Sequence, residues 1–173
     1  MDLTSKIILI TGGGSGIGLE LSRQLVALGN TVIICGRDAD KLAEAARLTG
    51  AQAIAGDVTV AQDQERILSD VQAQHGRLDL LINNAGVFLA YDFKNDPDTL
   101  QKIEREIAIN ATAPLTLTRR ALPLLEKSAQ PGVLFIGSGI AFVASPGTPV
   151  YSGTKALIHH CAQTLRHQLQ RHG

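Results

Sequence analysis

The stretch that most constrains this chain is IILITGGGSGIGLELSRQLVAL, from Ile7 to Leu28. Ile7–Ile10 is an apolar run of strand length. Gly12, Gly13, Gly14, Gly16 and Gly18 follow within seven positions, and Leu19, Leu21, Leu25, Val26 and Leu28 then recur at helical spacing. A strand, a glycine turn and a helix in that order form a phosphate cradle. Glycines let the backbone come close to a pyrophosphate, and the helix start offers free N–H groups and the positive end of its dipole.

Register separates the kinds of glycine loop. A P-loop ends in Gly-Lys-Ser/Thr, whereas Gly18 is followed by Leu19 and Glu20. The pattern G-x-G-x-x-G also fails, because it demands glycine at Ile17 or at Leu19. What fits is T-G-x-x-x-G-x-G on Thr11, Gly12, Gly16 and Gly18. This spacing resembles the short-chain dehydrogenase/reductase family. The resemblance implies that Gly12, Ser15, Gly16, Ile17 and Gly18 contact a dinucleotide. The competing reading of the loop alone is a glycine-rich turn that packs a helix on a sheet.

The chain has 173 residues, enough for one domain with a real core. A 45% hydrophobic content with formal net charge zero steers it to neither nucleic acid nor anionic lipid. Cys35 and Cys161 lie in apolar-patterned stretches and read as reduced core residues, not a disulfide framework. The start, MDLTSK, has no charged stretch followed by a long apolar run, and no run approaches the ~18 apolar residues of a membrane span. The expectation is a cytoplasmic protein without membrane or nucleic-acid partners.

Further strands are expected at Thr31–Cys35, Ala51–Ala55, Leu78–Ile82 and Val133–Ile136. Helices are expected between them. Asp38 can cap one carrying Leu42, Ala45, Ala46 and Thr49 on a face. Thr59 with Gln62 suggests a capping box. Asp96-Pro97 signals the start of a long helix, continuous or broken, that runs towards Lys127. The last helix is expected from Tyr151 to about Gln170. Alternating short apolar strands and helices predict an α/β fold, a doubly wound parallel sheet of Rossmann type in the order 3-2-1-4-5 with helices on both faces. Ligands of such sheets bind beyond the carboxyl ends of the strands.

The position after the second strand selects the cofactor. NAD sites place a carboxylate on the ribose hydroxyls, and NADP sites place a cation on the 2′-phosphate. Here Gly36 is followed by Arg37, whose fork suits a phosphate. In the family this pair resembles the NADP type, so NADP is expected and NAD is the alternative. Asp38, 20 residues past Gly18, reads as the helix cap. The resemblance also places Asp57, Val58 and Asn84 on the adenosine side of the cofactor; an Asp after a strand can accept from an adenine amino group.

The long helix holds an anomaly. Leu100, Ile103, Ile107, Ala111, Leu115, Leu122 and Leu125 mark an apolar face, with Asn110 beside it. A buried amide costs about 1–3 kcal/mol unless it is paired. Pro114, four residues on, has no N–H for the Asn110 carbonyl, so the helix should kink there. Lys102, Glu104, Arg105 and Glu106 read as a solvated face. Lys127, Arg166 and Arg171 read as C-terminal-turn charges.

Tyr151 and Lys155 stand four apart on the last helix, and therefore on one face. Free tyrosine, with a pKa near ~10, is a poor acid or base at neutral pH; a neighbouring ammonium favours its phenolate. Ser138 is expected to end the fifth strand, where a hydroxyl can donate to a carbonyl oxygen. Ser-x12-Tyr-x3-Lys with Asn110 upstream resembles the active site of the short-chain dehydrogenase/reductase family residue for residue, and the resemblance runs from Lys6 to the end of the chain. It implies that Asn110, Ser138, Tyr151 and Lys155 are catalytic, with Asn110 anchoring a water through its main chain. It also implies that Tyr151 and Lys155 touch the cofactor. His159 and His160 are adjacent and lack further ligands, so no metal is expected.

The expected function is hydride transfer between NADP(H) and a small carbonyl or alcohol substrate, with Tyr151 as general acid/base. A nucleotide-binding or assembly module without turnover is the alternative. Leu157, Ile158, Cys161, Leu165 and Leu169 make the last helix apolar on more than one side, and the resemblance implies a homo-oligomer through the two long helices. The N-terminal half slightly resembles a bacterial subgroup linked to D-alanyl teichoic acid operons. The family continues past this helix with further strands and a substrate-covering segment. The chain of 1–173 is therefore expected to be a single dinucleotide-binding and catalytic domain lacking those parts, a short form or fragment of a longer reductase with its fifth strand as an open apolar edge.

Overall fold

The apolar runs become five short parallel strands: β1 (Ile7–Thr11), β2 (Thr31–Gly36), β3 (Gln52–Ala55), β4 (Leu80–Asn83) and β5 (Gly132–Phe135). The computed structural model describes residues 3–170. The chain end Arg171-His172-Gly173, with the Arg171 charge, and the first two residues of MDLTSK lie outside them. The sheet order is β3-β2-β1-β4-β5. Ile8 is aligned with Val32 on one side and with Leu80 on the other. Ile8, Leu9, Ile10, Ile33, Ile34 and Leu81 are fully buried, as strands covered on both faces require. Shortening any of them to alanine would cost about 2–5 kcal/mol. Burial pushes the Cys35 thiol up to about 12, so it is an inert core group; Cys161, expected in the core, is only half-buried.

The helices are α1 (Gly16–Ala27), α2 (Ala39–Thr49), α3 (Ala61–His75), α4 (Thr99–Ile107), α5 (Ala113–Leu125) and α6 (Pro149–Gln170). The strand order reverses between β1 and β4. Right-handed crossovers therefore send α1 and α2 to one face and α3 and α5 to the other. Accordingly α1 lies against α2. Gln64 of α3 bonds Thr116 and Arg120 of α5. Among the described residues no helix is long and apolar enough to cross a membrane.

Two compact units make up the chain: Met1–Ala85 with Pro114–Leu134, and Gly86–Ala113 with Phe135–Gly173. The first holds the sheet as far as Leu134. Its pivot is Asp79, a buried carboxylate just before β4. Asp79 accepts from the Ile7 N–H at 2.8 Å, from Ser128 Oγ at 2.5 Å and from Arg77 Nε at 3.1 Å. The second is built on α4, α6 and a π-helical turn at Ala108–Thr112, with Ile109, Ala111 and Ile158 buried.

Several expectations are corrected. Thr59 and Gln62 form no capping box. α3 starts after Val60, and Thr59 gives both its N–H and its hydroxyl to Asp57 Oδ1 at 2.9 and 2.7 Å. The helix expected at Asp96-Pro97 begins at Thr99, because Asp96 is occupied with the Asp98 N–H and Lys102 Nζ. The expected kink at Pro114 is the π-helical turn just before it, where the Ala113 N–H reaches the Ala108 carbonyl. That extra residue per turn rotates the helix faces. Leu100 and Ile107, placed on the buried stripe, are exposed, whereas Glu106, placed on the solvated face, is 0% exposed. β5 ends at Phe135, three residues short of Ser138, and α6 starts two residues before Tyr151. Lys127 lies beyond α5, so it is not a last-turn charge. β5 is an edge of the sheet with Leu134 exposed.

Candidate active site

In the first unit the ends of β1 and β4 are tied to each other. Thr11 Oγ accepts from the Asn84 and Ala85 N–H groups at 3.0 and 2.9 Å. The Asn84 side-chain amide donates to the carbonyls of Thr11 and Gly12 at 2.9 and 3.2 Å. Gly18 lies against this brace. A Cβ there would stand 2.4 Å from Gly12 O and 2.5 Å from Asn84 Nδ2, so no side chain fits. Gly16 has φ +54 and open space where a Cβ would be. Ser15 flanks α1 without a side-chain bond to its N–H groups, and Ile17 is exposed. The first turn of α1 carries no acid, whereas α2 and α3 carry Asp40 and Asp63 there. These features leave α1 with first-turn amides suited to an external anion such as a pyrophosphate.

Beyond β2, Arg37 is exposed and its Nε stands 3.9 Å from Asp57 Oδ2. An ion pair this long and solvated is worth less than about 1 kcal/mol and is readily exchanged for another partner. Asp38 caps α2 by accepting from the Lys41 N–H at 3.0 Å, and this bond holds its carboxyl below the usual range. Asp57 Oδ1 is taken by Thr59, and Oδ2 is the oxygen that faces Arg37. Val58 is buried and its carbonyl accepts from Gln64 Nε2 at 2.6 Å. Asn84 is the brace itself.

In the second unit Asn110, buried in the π-helical turn, clamps one residue of the chain that follows β4. Its Oδ1 accepts from the Val87 N–H at 2.8 Å and its Nδ2 donates to the Val87 carbonyl at 2.8 Å. The same Nδ2 lies 3.5 Å from Thr154 Oγ, which donates to the Tyr151 carbonyl at 2.8 Å. Lys155 is buried, donates to the Ile136 carbonyl at 2.9 Å and holds its ammonium 5.7 Å from the centroid of the Tyr151 ring. Burial lowers the Lys155 pKa. Ser138 accepts from the Ile140 N–H at 3.4 Å and so starts the short 3-10 turn Gly139–Ala141. A phenol with an ammonium beside it has the chemistry to exchange a proton.

Sequence reasoning missed three residues here. Thr154 joins the asparagine to the tyrosine's helix. Phe88 meets the Tyr151 ring edge-on, with centroids 5.2 Å apart. Glu106 accepts from the Leu89 N–H at 2.9 Å. Position i−4 from Asn110 was the one signal available for Glu106.

A family model described as short chain dehydrogenase matches residues 6–173. The chain belongs to the short-chain dehydrogenase/reductase family of oxidoreductases. It is 39% identical over 171 residues to the uncharacterized oxidoreductase DltE of Bacillus subtilis, covering 98% of this chain and 68% of that one. The structure of Pseudomonas aeruginosa RhlG in an active-site complex with NADP superposes with a TM-score of 0.90 at 30% identity, over 97% of this chain and 68% of that one. A short-chain dehydrogenase from Streptomyces avermitilis gives 0.89 at 30% identity, over 98% and 63%.

Proposed function

We propose that this chain interconverts a carbonyl compound and the corresponding alcohol with NADP(H). The observation that carries the reading is the joined set Asn110, Thr154, Tyr151 and Lys155 in one packed unit, with the Lys155 ammonium held at the Tyr151 ring. When bound, the nicotinamide supplies a hydride to the carbonyl carbon, or takes one from the alcohol carbon. Tyr151 gives its hydroxyl proton to the carbonyl oxygen in reduction and takes it back in oxidation. Ser138 donates to the same oxygen and orients it. Lys155 keeps a positive charge beside the phenol and, by family likeness, binds ribose hydroxyls. Asn110 holds the backbone at Val87 and anchors the proton-relay water.

The residues fit the cofactor. Gly12, Ser15, Gly16, Ile17 and Gly18 would receive the pyrophosphate, with Asn84 fixing their loop. Asp57 and Val58 would flank the adenine. Arg37 would take the 2′-phosphate in exchange for its loose contact with Asp57. The use of Asp38 as a helix cap supports NADP over NAD, as does the NADP bound by the RhlG relative. The exposed Leu100, Ile107 and Leu157 support assembly of copies through α4 and α6.

The test is turnover of NADPH and NADH across ketones, aldehydes and alcohols by the purified protein. NADPH oxidation dependent on a carbonyl is expected. Cofactor binding without reduction of any carbonyl would overturn the reading in favour of a binding module.

A further inference from the structure

Glu106 and Asn110 stand one helical turn apart and hold the same piece of backbone. Asn110 takes both polar groups of Val87, and Glu106 Oε1 takes the Leu89 N–H. Glu106 Oε2 lies 3.5 Å from the Tyr91 hydroxyl. A carboxylate that is 0% exposed is costly, and its N–H and hydroxyl partners offset part of that cost. The residue between the two clamped positions is Phe88. With the backbone at Val87 and Leu89 fixed, the position from which the Phe88 side chain leaves the main chain is set, and its ring rests edge-on against Tyr151. Yet Phe88 is 56% exposed, so a large apolar face is presented to solvent beside the phenol.

We propose that Phe88 is a specificity-determining residue for the reaction proposed above, on which this inference rests. Held by the Glu106–Asn110 clamp, it selects substrates with a bulky apolar group, aryl or long alkyl, next to the reacting carbonyl. An apolar substituent covers the exposed ring while its carbonyl oxygen meets Tyr151. Small carbonyl compounds leave the ring in water and gain nothing from it. Each buried methylene contributes only a modest factor, so the preference should grow with substituent size.

The experiment compares steady-state rates of the full chain and of Phe88→Ala and Phe88→Leu with NADPH on acetone, 2-octanone and acetophenone. Expected for Phe88→Ala is a loss in kcat/KM of roughly tenfold or more on 2-octanone and acetophenone, carried by KM, with less than about threefold change on acetone. Phe88→Leu should restore most of the loss on 2-octanone. Uniform loss across the three substrates, or none, would overturn the role of Phe88 while leaving the reductase reading intact. No reduction of any of them by the unaltered chain would instead overturn that reading, and this inference with it. Amide hydrogen exchange tests the clamp without turnover. Exchange at 87–89 should quicken in Glu106→Ala and stay near normal in Glu106→Gln, which keeps an acceptor for the Leu89 N–H. Unchanged exchange in Glu106→Ala would remove the clamp.

Discussion

Lys155 Nζ donates to the carbonyl oxygen of Ile136 at 2.9 Å. The bond fixes the far end of a long flexible side chain just beyond β5. The ammonium consequently stays 5.7 Å from the centre of the Tyr151 ring, one turn away on the same helix.

This buried ammonium makes stability depend on pH. Burial lowers the Lys155 pKa in the folded chain, whereas the unfolded value is about 10.4. Between the two values the unfolded state binds more protons, so this group makes stability rise with pH. Below that window its charge is a cost to the fold. Lys155→Met should flatten the rise in melting temperature as pH approaches the unfolded value of about 10.4 from below, relative to the parent. Parallel curves for the two proteins would show that Lys155 titrates alike in both states.

Asp79 behaves in the opposite sense. Burial raises its pKa, but the bonds from Ser128, the Ile7 N–H and Arg77 outweigh that, and the net shift is downward. Its contribution is fully present above the unfolded value of about 3.9 and is lost as pH falls through the depressed folded value. Asp79→Asn should destabilise the protein by about 1–3 kcal/mol at pH 7. Urea denaturation should show the gap between variant and parent closing as pH falls below the unfolded value of about 3.9. A gap independent of pH would assign the effect to packing.

Arg37 tests cofactor choice. Its contact with Asp57 is long and exposed, so moving to a phosphate sacrifices little. Arg37→Ala should weaken NADPH roughly 10- to 100-fold, the equivalent of about 1.5–3 kcal/mol for a bond to a charged group. NADH, without the 2′-phosphate, should change less than about threefold. Calorimetric titration of both cofactors reads this directly, and equal losses would remove Arg37 from phosphate recognition.

The sheet was legible because parallel strands buried on both faces must be continuous apolar runs, as in Ile7–Ile10 and Thr31–Cys35. The glycine loop was legible from its spacing, and Gly18 shows why: its Cβ would collide with Gly12 and Asn84. The faces of the long helix depart from the sequence pattern. A 3.6-residue period carried through Leu100 and Ile107 cannot foresee the five-residue π-helical turn that resets the face. For the same reason Glu106 read as solvated, since a charged residue enters a core only with partners that arrive from elsewhere in the chain. Its partner is the N–H of Leu89, and backbone groups leave no mark in a sequence. The capping box at Thr59 and Gln62 failed because Asp57 offered Thr59 a closer acceptor. Phe88 carries no signal in the sequence, because its contact with Tyr151 depends on two clamps 18 and 22 residues away.

The central claim is that Tyr151 moves the proton in carbonyl reduction. The most direct test is Tyr151→Phe, which deletes one hydroxyl and keeps the ring against Phe88. Rates of carbonyl-dependent NADPH oxidation are measured beside the NADPH dissociation constant of the same preparation. The account predicts a fall in kcat of at least about 100-fold, the scale of general acid–base catalysis, with NADPH affinity within a few-fold of the parent. A variant that turns over near the parent rate would contradict it.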